Sequence, residues 1–506
     1  MKNILALLLV AFFSQQALAQ RITYAEILDD DSRNMSFEIL GNFNENYLIY
    51  KNNDRKHRVT VYGSDMKIKD NVRLDFLPEK VFNLDFVSYA STFIMVYQYQ
   101  RGGSIFCDAA LLDANAKIIN KPIHLDTTKI GFFSENKIYY LTHSENRKRI
   151  LLYKMQNRNN NFYLNSFLFD ENLKKLEATS TTFDFNERKE SYGDLEVDNA
   201  GNFYFIKETN KNRAEFTSSM ELNYHKFNGG MIDKKPLPLN DFLVQDVSIK
   251  IDNLKDIIFI NSFAYRRNQG NAEGIFSIAI DKASVTQRTS AFIPFSDTLK
   301  SKLSQFANSR TAFDNFYIKN VVAKKDSGIL VTIEDYSVQN RSNQRFNRFG
   351  FFDPYGYNFA NPGFYRFQQR GFYDDFYSPY NNLNQRDLLY SYNDIIMISL
   401  DKNLAPQWET IINKKQSDVQ NDNFLSFSTA NIGGEIHYLF LQKDNNKQLI
   451  SDHAVQPSGN LVRYATIKTG ERGFNFMPRL AKQIGARQII IPCTFRNSIS
   501  FAKINF

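Results

Sequence analysis

Two pairs of neighbouring carboxylates could perform acid–base chemistry. Glu334 and Asp335 follow the apolar run ILVTI, and Asp374 and Asp375 stand in an aromatic-rich stretch. Enzymes that cleave glycosidic bonds use two carboxyl groups, one as the acid and the other as the base or nucleophile. These pairs make carbohydrate binding or glycoside processing one hypothesis for the chain.

Other catalytic patterns are missing from the 506-residue sequence. It has no His-Glu-x-x-His pair, no Gly-x-Ser-x-Gly elbow and no Gly-rich phosphate loop with its Lys. The six histidines stand singly, and Asp29 and Asp31 lack the turn glycine and the distal glutamate of a Ca²⁺ loop. We therefore predict a non-enzymatic protein with no catalytic residue, no cofactor and no metal ion, and keep the carbohydrate hypothesis as the alternative.

Composition narrows the function classes further. The formal net charge of +8 is spread along the chain without a basic cluster, which argues against nucleic-acid binding. Phe and Tyr number 46 and 27, whereas there are two cysteines, Cys107 and Cys493. We expect aromatic packing to hold the fold together, and we expect both cysteines to be buried in strands without a disulfide.

The first twenty residues, MKNILALLLVAFFSQQALAQ, have the pattern of an export signal. Lys2 precedes an apolar core that is too short to span a bilayer, and Ala17 and Ala19 fit signal peptidase. We predict a signal peptide over 1–19, a mature chain from Gln20, and a location in the periplasm or at the outer-membrane periphery, with an extracellular location as the alternative.

A turn followed by an apolar run recurs along the rest of the chain. Two examples are VDNAGNFYFI at 197–206 and IDNLKDIIFI at 251–260. Six further runs align with them: GNFNENYLIY (41–50), VSYASTFIMV (87–96), FFSENKIYYL (132–141), KKDSGILVTI (324–333), NIGGEIHYLF (431–440) and QIGARQIIIP (483–492). Such repetition of one short run along a chain is typical of an array of similar sheets.

The strand that follows each of these runs commonly ends in an aspartate turn, as in CDAALLDANAK, NSFLFDENLKK, FSIAIDKASV and IMISLDKNLA. A four-stranded antiparallel sheet has two faces to cover, and radial packing of such sheets covers both. The predicted fold is therefore all-β, a single β-propeller domain over 20–506. Eight blades are predicted, with seven as the alternative because the unit at 130–190 is long and irregular.

One repeat carries a recognisable signature. Asp198, Gly201, Asn202 and Tyr204 form D-x-x-G-N-x-Y before an apolar strand, and this pattern resembles propellers of the NHL type. The resemblance implies the propeller architecture and no particular binding specificity.

The two ends of the chain are expected to close the ring. The last unit ends with SISFAKINF and lacks a fourth strand, while RITYAEILD at 21–29 is a spare strand before the first unit. We predict that 21–29 completes the last blade by pairing with the C-terminal strand, with a frayed arm as the alternative.

Two insertions interrupt the rhythm and are expected on the same face. Residues 295–311 place Leu299, Leu303 and Phe306 at helical spacing after Ser296, which predicts a short helix. Residues 340–392 form a long aromatic-rich loop between two strands of one blade.

The aromatic loop is the predicted partner-binding site. Large, rigid aromatic side chains with nearby arginines suit a protein interface. The residues predicted to bind a partner are Arg348, Phe351, Phe352, Tyr355, Tyr357, Arg370, Phe372 and Tyr373. The alternatives are a loop folded back as a local core and a low-complexity segment that self-associates.

The Asn/Lys/Phe/Tyr-rich composition and the run NDIIMISLDKNLAPQWE at 393–409 resemble uncharacterised exported propellers of Bacteroidota. The resemblance implies an accessory subunit of an outer-membrane assembly, such as a subunit that caps or plugs a type IX secretion translocon. The expected partner is thus a protein, for example an outer-membrane β-barrel complex.

Overall fold

The computed structural model describes residues 21–29, 31–32, 35–130, 138–210, 216–266, 271–304, 315–340, 388–419, 422–444, 447–467 and 473–506. Within these ranges the chain is built almost entirely of antiparallel strands, with a single α-helix, α1 (Asp297–Ser304). This composition of elements agrees with the all-β fold expected from the sequence.

The strands are numbered in chain order. The first thirteen are β1 (Arg21–Tyr24), β2 (Ser36–Phe43), β3 (Asn46–Asn53), β4 (Lys56–Tyr62), β5 (Ile68–Arg73), β6 (Asn83–Ser88), β7 (Thr92–Arg101), β8 (Ser104–Asp113), β9 (Ile123–Lys129), β10 (Tyr139–His143), β11 (Ile150–Arg158), β12 (Asn161–Phe169) and β13 (Lys175–Asp184). The next nine are β14 (Glu190–Tyr192), β15 (Glu196–Val197), β16 (Phe203–Asn210), β17 (Thr217–His225), β18 (Ile232–Leu237), β19 (Leu243–Asp252), β20 (Ile257–Tyr265), β21 (Gly274–Asp281) and β22 (Thr286–Pro294). The remainder are β23 (Phe316–Ala323), β24 (Ile329–Asn340), β25 (Leu388–Leu400), β26 (Pro406–Ile412), β27 (Gln416–Asp418), β28 (Phe427–Ile432), β29 (Glu435–Asp444), β30 (Lys447–Val455), β31 (Leu461–Arg463), β32 (Phe474–Phe476), β33 (Lys482–Gly485), β34 (Gln488–Phe495) and β35 (Ser498–Asn505).

Across the described ranges these strands form seven hydrogen-bonded sheets. Sheet 1 is β2–β5, sheet 2 is β6–β9, sheet 3 is β10–β13, sheet 4 is β14–β22, sheet 5 is β23–β27, sheet 6 is β28–β31, and sheet 7 combines β32–β35 with β1. All the pairings are antiparallel, and most join strands that are consecutive in sequence; the exceptions are β14 with β16, β17 with β19, β25 with β27, β32 with β34, and β1 with β35. Sheet 4 is larger because β17 and β19 are joined at one residue pair, Thr217 and Val244.

The first strands of successive sheets surround a common centre. Strand β2 lies beside β6, β10 beside β15, β15 beside β19 and β19 beside β23, while β28 lies beside β33 and β33 beside β2. Sheets of about four strands arranged in this way form a β-propeller. The predicted fold is therefore confirmed in its architecture.

The ring closes through the paired ends that the sequence suggested. Strand β1 pairs antiparallel with β35, from Arg21 opposite Asn505 to Tyr24 opposite Ala502. The predicted strand over 21–29 is too long, because regular pairing ends at Tyr24. The Ala25 N–H still donates to the carbonyl of Phe501 at 2.7 Å, after which the chain crosses to sheet 1.

A buried ion pair fixes this crossing segment to sheet 1. Lys51 Nζ lies 2.6 Å from Asp31 Oδ2, and both side chains are almost completely buried. The same ammonium donates to the Tyr62 hydroxyl at 2.9 Å and lies 5.7 Å from the centre of the Phe501 ring. Sheets 1 and 7 and the crossing segment therefore meet at one charged contact.

Seven of the eight predicted turn-and-strand runs connect the first strand of a unit to its second. The exception is 132–141, which leads into the first strand, β10. The equivalent turn in sheet 3 is at 144–149, where the Ser144 N–H donates to the Arg149 carbonyl at 2.9 Å. That alignment was wrong by one strand, because a turn followed by an apolar run looks the same before either strand.

The predicted aspartate turns are confirmed at the ends of four third strands. Each carboxylate accepts backbone N–H bonds from the residues two to four positions later, which closes the turn locally. The oxygen of Asp113 accepts from Asn115 and Lys117, and that of Asp401 accepts from Asn403 and Ala405. Asp170 and Asp281 have equivalent bonds.

The D-x-x-G-N-x-Y signature folds around its aspartate. Asp198 Oδ1 accepts the N–H groups of Ala200, Gly201 and Asn202, each at 2.9 Å. Its second oxygen accepts from the Asn202 side chain at 2.8 Å and from the Tyr204 hydroxyl at 3.3 Å. The spacing of the signature is thus explained by a turn that organises the β15–β16 connection.

Gly201 should tolerate no side chain. Its φ is +102°, and a Cβ there would lie 2.9 Å from Leu168 Cδ2. Gly201→Ala should therefore lower the free energy of unfolding by about 2 kcal/mol, since strain and crowding add. Gly230→Ala is the matched control, because Gly230 has φ +85° but open space around it, and about 1 kcal/mol is expected there. Urea unfolding measures both, and equal losses would contradict the crowding at Leu168.

Aromatic side chains pack between neighbouring sheets, as the composition predicted. Phe162 of sheet 3 stacks on Tyr192 of sheet 4 with ring centres 4.0 Å apart, and Phe43 of sheet 1 meets Phe93 of sheet 2 at 5.7 Å. Both cysteines are buried and unpaired, in agreement with the prediction. None of the helical segments described is long and apolar enough to cross a membrane.

Candidate functional site

The aromatic insertion is connected to sheet 5 through an extended ribbon. Strands β24 and β25 remain paired past the first strand β23, from Tyr336 opposite Tyr392 to Asn340 opposite Leu388. Strand β27 pairs with the other edge of β25, with Gln416 opposite Tyr392. The insertion therefore leaves the propeller from a ribbon whose base is three strands wide.

The base of this ribbon is tied to the following sheets. The rings of Tyr336 and Tyr392 lie 4.6 Å apart, and the Tyr392 hydroxyl donates to Asp422 Oδ2 at 2.7 Å. Arg479, which precedes β33 in sheet 7, donates to both oxygens of Asp422, one of them at 3.0 Å. Burial opposes ionisation of Asp422, but Arg479 holds its pKa below the usual value.

Beneath the ribbon, Glu334 forms a buried charge cluster with two lysines. Its oxygens lie 3.1 Å from Lys319 Nζ and 2.8 Å from Lys414 Nζ. The hydroxyls of Tyr317 and Ser426 also donate to Glu334, each at 2.6 Å. Burial alone would raise the pKa of Glu334, but the two ammonium groups and the hydroxyl donors lower it to about 2.

Glu334 and Asp335 do not form the acid–base pair that their adjacency suggested. Glu334 is fully buried and engaged by its lysine partners, whereas Asp335 accepts a hydrogen bond from Asn393 at 3.0 Å. Burial raises the pKa of Asp335 to about 6, and the Asn393 hydrogen bond limits the rise. Glu334 and Asp335 therefore occupy different environments. The second predicted pair, Asp374 and Asp375, lies outside the described residues.

The predicted helix is present and fixed to the propeller. Helix α1 covers Asp297–Ser304, and its Leu299 and Leu303 are buried among side chains of sheets 4 and 5. Ser296 caps it by accepting the Leu299 N–H at 3.0 Å, and its hydroxyl also donates to Glu409 of β26. The rest of the predicted span, including Phe306, lies outside the described residues.

Both insertions begin at the same end of sheet 5. The first residue of β23, Phe316, pairs with Asp335 in the middle of β24, so the connection that contains α1 reaches sheet 5 at the end from which the β24–β25 ribbon extends to Asn340. All eight residues predicted to contact a partner, Arg348, Phe351, Phe352, Tyr355, Tyr357, Arg370, Phe372 and Tyr373, lie outside the described residues.

On the inner side of the ring, strands of sheets 4 and 5 and the end of β10 in sheet 3 line a cavity of about 390 Å³. Its apolar wall comes from β15, β16, β19 and β23. Its charged lining residues are Glu145, Asp194, Glu196, Glu208, Lys250 and Lys319, with His143 beside them. No group of three or more potential metal-binding side chains occurs in the part of the chain described.

Sequence reasoning missed this lining and the lysines of the Glu334 cluster. Lys250 stands in VSIKID and Lys319 in FYIKN, each a charged residue within an apolar first strand. A charged residue at such a position was the available signal, because a first strand has one edge toward the centre of the ring. The partners themselves are distant in sequence and were not visible.

Glu196, in the cavity wall, should make the free energy of unfolding depend on pH. Burial raises its pKa to about 7, and Lys250 limits the rise. A carboxyl with a raised folded pKa loses stability as pH rises, here between about 4.5 and 7, so Glu196→Gln should remove this loss. The gain of the variant over the wild type should reach at most about 3 kcal/mol above pH 7 and vanish below pH 4.5. Urea unfolding across this range, with exposed Glu187→Gln as control, would contradict the assignment if the gain did not depend on pH.

Comparison with known proteins does not assign the chain to a family. No family model and no curated protein matches the chain. Prolyl oligopeptidase B from Galerina marginata, in its apo form, is 10% identical, with 92% of this chain and 56% of that chain covered and a TM-score of 0.41. The β-propeller domain of the Trilobed protease from Pyrococcus furiosus is 9% identical, with 85% and 97% covered and a TM-score of 0.37.

A structure from a study of two prolyl endopeptidases is 10% identical, with 92% of this chain and 54% of that chain covered and a TM-score of 0.38. The chain thus spans about half the length of these peptidases. The propeller assignment rests on the strand pairing described above.

Proposed function

We propose that the chain is a non-enzymatic protein-interaction scaffold that binds a protein partner through the face bearing α1 and the 340–392 insertion. The observation that carries the proposal is the ribbon of β24 and β25, braced by β27 and by the Arg479–Asp422 pair. A braced base presents the inserted segment from a fixed position, which reduces the entropy lost when a partner binds.

We also propose the finer architecture and the setting. The two halves of sheet 4, β14–β18 and β19–β22, are joined at one residue pair, and counting them separately gives eight blades. The signal-like segment 1–19 and the composition support export to the periplasm or outer-membrane periphery. An accessory or plug subunit of a type IX secretion translocon fits that setting.

The carbohydrate alternative receives less support. Glu334 is held by two lysines, and the single tryptophan, Trp408, packs against Gly459 with its ring nitrogen donating to the Pro457 carbonyl at 3.0 Å. Neither residue is arranged to bind a sugar ring or to transfer a proton to one.

Co-purification from detergent-solubilised outer membrane tests the scaffold. Residues 341–387 are replaced by Asn-Gly, which joins the paired residues Asn340 and Leu388 by a two-residue turn and preserves the ribbon. This variant should keep its melting temperature, because loop length costs little, but should lose its β-barrel partner. A second variant that keeps the loop length carries Ser at Phe351, Phe352, Phe372 and Tyr373.

Leu254→Ser is the matched control, because Leu254 is an exposed apolar residue in the β19–β20 turn on the opposite face. It should bind as the wild type does. A loop-replaced variant that still co-purifies would refute the proposed face, and one that melts at a much lower temperature would show that the loop serves as a local core.

A further inference from the structure

The charged side chains that line the central cavity fall into two groups. In the first group, each side chain already has a polar partner. Glu145 accepts from the Asn253 amide at 3.0 Å, Asp194 accepts from the Tyr153 hydroxyl at 3.4 Å, and Glu208 accepts from the Thr217 hydroxyl at 2.7 Å. Lys319 is held by Glu334.

The second group consists of Glu196 and Lys250. Neither makes a hydrogen bond or an ion pair with another residue in the described ranges, although both line the cavity. They stand on neighbouring first strands, β15 and β19, and Lys250 is near enough to influence the pKa of Glu196 without contacting it. Both charged groups face the cavity, so each is available to a ligand that enters it.

The remaining wall of the cavity combines aliphatic residues with the polar residues Ser248, Asn253 and Asn320. The aliphatic part includes Val197, Ile206, Val247, Ile249 and Ile318. A volume of about 390 Å³ is at the lower end of the range for small-molecule sites, which suits a molecule of amino-acid or dipeptide size.

We infer that this cavity binds a small zwitterion, an aliphatic α-amino acid or short peptide, with its ammonium on Glu196 and its carboxylate on Lys250. The aliphatic wall receives the side chain. This site is separate from the face proposed to bind a protein partner, because it is formed by strands on the inner side of the ring. Ligand binding supplies the charge partners that the folded chain does not provide.

Isothermal titration calorimetry on the full chain tests the inference with L-leucine and the dipeptide Leu-Leu as probes. At least one should bind saturably, and 3-methylbutylamine and 4-methylpentanoate, which keep one charge each, should bind at least about tenfold more weakly. The absence of saturable binding by both zwitterions would overturn the inference. So would equal binding of a singly charged analogue.

Variants locate the site independently of the choice of analogue. Glu196→Gln and Lys250→Gln should each weaken zwitterion binding by about tenfold or more. Their matched controls are Glu187→Gln and Lys235→Gln, which change exposed residues away from the cavity and should leave binding unchanged. Melting temperatures confirm that all four variants are folded. Binding that survives both cavity substitutions would place the ligand elsewhere and refute the site.

Discussion

Replacing Asp31 by alanine should lower the free energy of unfolding by about 3–5 kcal/mol, because it removes the carboxylate that lies 2.6 Å from the buried Lys51 ammonium. Lys51 is completely buried, so water cannot replace the lost carboxylate. The segment that crosses from sheet 7 to sheet 1 would also lose its charged attachment. Urea unfolding of the full chain measures the change.

Two further variants identify the cause. Asp29→Ala removes an exposed carboxylate from the same segment and should have an effect below about 0.5 kcal/mol. The double variant Asp31→Leu with Lys51→Met replaces the pair by apolar side chains and should recover most of the loss. An Asp31→Ala protein as stable as the wild type would show that the pair does not fix the crossing segment to sheet 1.

Glu334→Gln should have an effect of similar size, about 3–5 kcal/mol, because two buried ammonium groups would lose one shared carboxylate. Lys319 and Lys414 both contact Glu334, so the substitution also removes the negative charge that lies between the two ammonium groups. The loss should appear as a lower unfolding midpoint in urea with little change in slope.

The adjacent residue provides the control for this prediction. Asp335→Asn changes a carboxylate whose pKa is raised by burial, so removing its charge should be neutral or slightly stabilising at neutral pH. If Glu334→Gln and Asp335→Asn had the same effect, the buried cluster would not be the source of the stability.

The architecture was predictable where the determining chemistry is local. The turns at Asp113, Asp170, Asp281 and Asp401 are closed by bonds that span two to four residues, so the sequence itself contains both partners. The ring closure was predictable for another reason. One strand was missing at one end of the repeat and spare at the other, and pairing removes two exposed edges.

The parts of the fold and of the candidate site that the sequence did not predict depend on contacts between residues far apart in the chain. Glu334 meets Ser426 across 92 positions of the sequence, and Asp31 meets Lys51 across 20, so no local pattern marked either contact. Strand β1 ends at Tyr24 because the chain turns away toward the Asp31–Lys51 pair, a reason that is tertiary and not local. The same limitation hid Glu196 and Lys250, which are brought together by the ring.

The pairing of β1 with β35 also determines how the ring responds to force. Arg21 stands opposite Asn505, so tension applied between these two positions pulls the strands apart from one end. The hydrogen bonds then break one after another, as in a zipper, and do not share the load as they would if the strands were sheared lengthwise. The β1–β35 pairing is therefore the place where the propeller opens first under load, at a force below that needed to shear a strand from the middle of a sheet.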